Sequence, residues 1–69
     1  MTEAEKREQL YNNLLTSSRK LAKLTKNLAT AWENLSRKQV AGAYDALMQE
    51  MTIHACLFDE LTDLDEDLL

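Results

Sequence analysis

Between Leu10 and Leu35, positions 10, 14, 17, 21, 24, 28, 31 and 35 recur at spacings that alternate between four and three. Six of them hold leucine, and the other two, Ser17 and Ala31, are small. Such a repeat is the seam of a helix lying along another helix. Leu15, Ala22 and Ala29 sit beside the seam, and Tyr11, Ser18, Thr25 and Trp32 border it as well. The apolar stripe is therefore wider than a two-stranded zipper needs and suits a bundle of three or four helices.

Local signals bound this helix. Thr2 followed by Glu5 forms a capping box, with Glu3, Glu5 and Glu8 placed to favour the positive end of the helix dipole. The first helix is expected from about residue 3 to about 34. Asn34 is suited to a left-handed helix end, and Ser36 with Gln39 repeats the capping-box pattern, so a tight turn is expected around 34–37. A turn at Gly42 or a single unbroken helix are the alternatives, because no residue before Gly42 forbids continuity.

The second helix is expected from about 37 to 61. Val40, Tyr44, Leu47, Met51, His54, Phe58 and Leu61 repeat by four and three, with Ala43, Met48, Ala55 and Leu57 widening that face. Ala41, Ala46, Ile53 and Cys56 occupy the far side, and only Asp45 and Glu50 are charged between Val40 and Phe58. A helix apolar nearly all round is buried on several sides, which one hairpin partner cannot supply. An acidic tail, about 59–69, alternates carboxylates with leucines and opposes the helix dipole, so its last turns are expected to fray. The fold expected is all-α: a single domain, 1–69, formed by an antiparallel two-helix hairpin that dimerises into a four-helix bundle.

Composition sharpens this picture in three ways. The chain has no proline and one glycine, which argues against a turn-rich β fold. At 69 residues it buries only about 60% of its unfolded surface. Cys56 is the single cysteine, so no internal disulfide can help, and association with another chain is the remaining support. Charge is divided: residues 1–38 carry eight basic and four acidic side chains, residues 39–69 eight acidic and none basic. The polar start is unlike a secretory signal and no apolar run approaches a membrane span, so a cytoplasmic protein with no membrane partner is expected.

Candidate chemistry is sparse. His54 lies on the core-facing repeat. Residue numbers facing each other across a turn near Ser36 sum to about 72, which sets His54 beside Ser17, and a polar pair in one layer fixes register. Glu50 lies one turn from His54, but these two do not make a metal-binding set, and no metal or cofactor is expected. Cys56 has no cation within a helical turn and two carboxylates nearby, which fits a structural rather than reactive thiol. Arg19, Lys20, Lys23 and Lys26 form the one basic patch. Trp32 and Tyr44 flank the turn and are expected to close the end of a bundle core.

The architecture is similar to Rop, a plasmid-encoded hairpin whose dimer is an RNA-binding four-helix bundle. The resemblance lies in a length of 60–70 residues, two helices with a tight turn, and heptads with small residues at some core positions. Short hairpins also serve as chaperones of secretion-apparatus subunits and as phage-encoded regulators. With no nucleophile–base set, glycine-rich phosphate loop or ligand cluster, the chain reads as non-enzymatic. The function expected is an adaptor, chaperone or regulatory subunit acting by protein contact, with a homodimer and another protein as partners. The residues expected to carry that contact are Tyr44, Met48, Ile53, Leu57, Asp59, Glu60 and Asp63. The alternative is nucleic-acid binding through Arg19, Lys20, Lys23 and Lys26.

Overall fold

The computed structural model describes residues 2–64, which form two helices, α1 (Glu3–Glu33) and α2 (Arg37–Leu64), packed antiparallel along their length. The Cα trace measures 48 × 18 × 15 Å, an elongated rod.

Each helix begins where its caps dictate. The Thr2 hydroxyl oxygen accepts from the Glu5 amide at 3.2 Å and donates to the Glu5 carboxylate at 3.0 Å. Ser36 does the same for α2, accepting from the Gln39 amide at 3.3 Å. The turn comprises Asn34, Leu35 and Ser36, with the Asn34 side-chain amide donating to the Gln39 side-chain oxygen, Oε1, at 3.3 Å. The left-handed residue is Leu35, at φ 53°, and not Asn34, which keeps a right-handed conformation at φ −79°. Asn34 still belongs to the helical hydrogen-bond ladder, donating to Thr30 at 3.0 Å, so the reversal falls one residue later. Gly42 lies inside α2, with open space where a side chain would be.

The α1 seam packs as its periodicity requires from Leu10 to Ala31, but its expected last member, Leu35, lies in the turn with its side chain exposed, because the chain reverses before the seam reaches it. Leu10, Ser17 and Ala31 are buried, while Leu14, Leu21, Leu24 and Leu28 are half-buried. On α2 the stripe that meets it runs through Val40, Ala43, Leu47, Glu50, His54, Leu57, Leu61 and Leu64. This corrects the expected stripe: Val40, Leu47, His54 and Leu61 face α1, whereas Tyr44, Met51 and Phe58 are exposed. Two stripes of equal period, offset by one residue, are available on so apolar a helix, and contact with α1 uses the one that holds Glu50.

The second helix continues through Thr62, Asp63 and Leu64 beyond the expected end. Arg7 reaches this last described turn, donating from Nη2 to the Leu64 carbonyl at 3.5 Å. The rest of the acidic tail, 65–69, lies outside the described residues.

A candidate interaction surface and a buried polar layer

Three side chains meet in the middle of the hairpin. Ser17 on α1 is 4% exposed and Glu50 on α2 is 6% exposed. The Ser17 hydroxyl donates to Glu50 Oε2 at 2.7 Å, and His54 Nδ1 lies 3.1 Å from the same Ser17 oxygen. Since the one hydroxyl proton goes to Glu50, Nδ1 must carry the proton of the His54 contact. That assigns the Nδ1–H form of the ring, with Ser17 as acceptor. The second Glu50 oxygen, Oε1, is 3.3 Å from Lys20 Nζ, so both carboxylate oxygens are engaged. The Ser17 hydrogen bond and the Lys20 ammonium hold the Glu50 carboxyl below the ordinary glutamate range, outweighing the burial that would raise it.

The pairing of Ser17 with His54 is the one that the facing rule places together. Glu50 is the member that sequence reasoning missed. Its signal was present, since 50 falls on the period set by Val40, Ala43 and Leu47, and Lys20 lies nearly opposite under the same rule. The layer has the wrong connectivity for nucleophilic catalysis. The serine lies between histidine and carboxylate, and its proton is committed to Glu50, whereas an activated serine gives its proton to the histidine. Among the described residues no group of three or more His, Cys, Asp or Glu side chains could hold a metal ion.

The hairpin has two long flanks of different character. In antiparallel right-handed helices, the residue after each seam position falls on the same flank of both. On α1 these are Tyr11, Leu15, Ser18, Ala22, Thr25, Ala29 and Trp32, and on α2 they are Ala41, Tyr44, Met48, Met51, Ala55, Phe58 and Thr62. None of these is charged, and all but the half-buried Thr62 are exposed. The large ones, from Phe58 at 42% to Met48 at 59%, are each about half open to solvent. Trp32 and Tyr44 meet across this flank, ring centroids 6.2 Å apart and nearly perpendicular, an attractive edge-to-face geometry. An apolar groove of about 380 Å³ continues the flank at the turn end, lined by Trp32, Leu35, Ser36, Arg37, Val40 and Ala41.

The opposite flank, formed by the residues before each seam position, is polar on α1: Gln9, Asn13, Thr16, Lys20, Lys23, Asn27 and Thr30. The seven residues expected to form a contact surface do not lie together. Tyr44 and Met48 are on the apolar flank, Leu57 is half-buried in the seam, and Ile53 and Glu60 fall on the opposite flank. Asp63 falls on that opposite flank as well, and Asp59 is exposed on the outer face of α2. Cys56 is exposed beside Ile53, not packed as a structural thiol. Of the basic patch, Arg19, Lys23 and Lys26 are exposed on α1, while Lys20 is tied to Glu50.

No helix among the described residues is long and apolar enough to cross a membrane. Neither a scan against protein-family models nor searches of curated proteins and of solved structures return a match for this chain.

Proposed function

We propose that this chain is a non-enzymatic protein-contact module, an adaptor, chaperone or regulatory subunit, whose apolar flank is closed by helices of another chain into a four-helix bundle. One observation carries the reading. Leu10 and Leu61 are the only large apolar side chains buried among the described residues, while Tyr11, Leu15, Trp32, Tyr44, Met48, Met51 and Phe58 leave about half their surface in water along one flank. A two-helix layer can cover only the line where its helices touch, and monomeric proteins rarely expose an apolar patch of this extent. Burial of that flank by a partner supplies the core that the hairpin lacks. The acidic residues Asp59, Glu60 and Asp63 lie off this flank and are available to a second, charged contact.

The test is protection of the flank in the cell that makes the protein. With Cys56→Ser removing the native thiol, Ala22→Cys reports the apolar flank and Thr16→Cys the polar one. A permeant maleimide should label Ala22→Cys at least about tenfold more slowly than Thr16→Cys, because a contacted flank excludes the reagent. Equal rates would sink the reading.

A second reading, nucleic-acid binding, is supported by Arg19, Lys23 and Lys26, which are exposed and form no ion pair among the described residues. It predicts an affinity that falls steeply with salt and is removed by reversing those three charges.

A further inference from the structure

We propose that the occupant of the apolar flank is a second copy of this chain, related by a two-fold axis parallel to the hairpin, so that both turns lie at the same end and α1 of each copy packs on α2 of the other. This rests on the reading of the flank as a contact surface and commits it to one partner and one orientation.

Three features of the flank support a second copy. Its area is sufficient: seven large, half-exposed side chains at about 150–250 Å² each leave on the order of 700–800 Å² to bury. A stable protein interface takes about 800 Å² per partner. Its charge permits self-contact, since a chain of net charge −4 meets its own copy through a surface that is uncharged from Tyr11 to Trp32 on α1 and from Ala41 to Phe58 on α2, with Glu8 and Arg37 only at its ends. Its relief is self-complementary. Along α2 the flank is a ridge, with Tyr44, Met48, Met51 and Phe58 protruding; along the middle of α1 it is a trough floored by small residues such as Ala22 and Ala29.

The relief also selects the axis. Within one hairpin, Ser17 meets His54 and Arg7 meets Leu64, so residues at equal height have numbers summing to 71. An axis along the hairpin keeps every residue at its own height and sets α1 against the partner's α2. Met48 and Met51 then stand over the stretch around Ala22, and Tyr44 between Thr25 and Ala29. Each Trp32 meets Ala41, at the groove beside the turn. An axis across the hairpin would instead stack α2 on α2 and α1 on α1, forcing ridge on ridge and leaving trough facing trough. Close packing of interfaces disfavours that arrangement. The same-end arrangement also gathers both Leu35 side chains, each 88% exposed in the single hairpin, near the axis.

The experiment combines sedimentation equilibrium with distance measurement between nitroxides at Glu33→Cys, an exposed position near the turn, in the Cys56→Ser background. At about 50 µM chain a dimer is expected, since interfaces of this size bind in the micromolar range or tighter. Helix spacings of about 10 Å put the two labels within about 30 Å of each other when the turns share an end. Turns at opposite ends separate them by more than about 40 Å, from the 1.5 Å rise per residue over each half of the rod. A dimer with the short distance supports the proposal, and a dimer with the long distance overturns its orientation. A monomer at this concentration overturns the second copy as occupant. In that last case, slow labelling of Ala22→Cys in cells with fast labelling of the purified chain means that the flank serves a different protein. Fast labelling in both removes the contact-surface reading as well.

Discussion

The two flanks of this hairpin are built on the same pair of helices and differ by a single step of sequence register. One residue after the seam, α1 presents Tyr11, Leu15, Ala22, Ala29 and Trp32; one residue before it, Gln9, Asn13, Lys20, Lys23 and Asn27. On α2 the corresponding sets are Tyr44, Met48, Met51 and Phe58 against Ala46, Gln49, Ile53, Cys56 and Glu60. The seam accounts for neither choice, because seam packing is indifferent to what lies a hundred degrees away on either side. An apolar flank therefore needs a separate cause, and burial in the proposed interface would supply one. The polar flank holds an ion pair that reaches the interior, Lys20 to Glu50, so the hairpin is open to water on the side where this buried charge is balanced.

The difference between the flanks is sharpest against a charge placed on each. Met48→Lys with Met51→Lys puts two ammonium groups into the apolar flank, where burial without a partner is costly. Self-association should weaken by more than about 100-fold, each lost methionine contact being worth roughly 1.5–3 kcal/mol when fully buried. Lys23→Glu with Lys26→Glu, on the outer and polar surface of α1, should leave the association constant within about threefold, as exposed charges contribute little. Sedimentation equilibrium measures both, and equal losses would erase the distinction between the flanks.

A smaller effect is expected from the buried layer. The Glu50 carboxyl is held below its ordinary range, so the unfolded chain binds more protons near pH 4 than the folded one does. The resulting stabilisation is fully present above about pH 4.3, the unperturbed glutamate value, and is lost as pH falls through the lowered value. Glu50→Gln should therefore melt lower than the parent protein at pH 7, and the gap should close as pH drops below about 4. Circular-dichroism melts across pH 3–7 check this, and a gap that is constant with pH would mean that the carboxylate charge contributes nothing. Ser17→Ala should lower the melting temperature by about 5 °C, having removed the donor to one Glu50 oxygen and the acceptor for His54.

The smallest effect concerns the turn that joins the flanks. Leu35 holds a left-handed conformation that glycine adopts without strain, yet its side chain is almost wholly exposed. Leu35→Gly, placed in the Met48→Lys, Met51→Lys background to remove association, should raise stability by about 0.5–1 kcal/mol in urea denaturation. A decrease would show that the leucine side chain supports the single hairpin itself.

Particular residues show how far the sequence alone reaches. The capping pairs at Thr2 and Ser36 are short-range, depending on bonds between residues three apart, so they are legible without a structure. The α1 seam is legible because its leucines stand out against a polar helix, and Ser17 with His54 follows from counting back across the turn. The candidate surface was only partly legible: Tyr44 and Met48 lie on the apolar flank, while Ile53 and Glu60 lie on the other.

What the sequence determined by itself was two helices, the seam of the first and the serine–histidine layer, each fixed by local hydrogen bonding or by contrast between apolar and polar positions. Only the tertiary structure decided which stripe of α2 faces α1. The second helix is apolar nearly all round, so its periodicity fits two stripes equally, and the stripe without Glu50 looks the better one by hydropathy. Contact with α1 reverses that preference, because Ser17 and Lys20 supply the partners that make a buried carboxylate tolerable. Tyr44, Met48, Met51 and Phe58 are thereby left facing outward, and that residual surface is the one the proposed contact would bury.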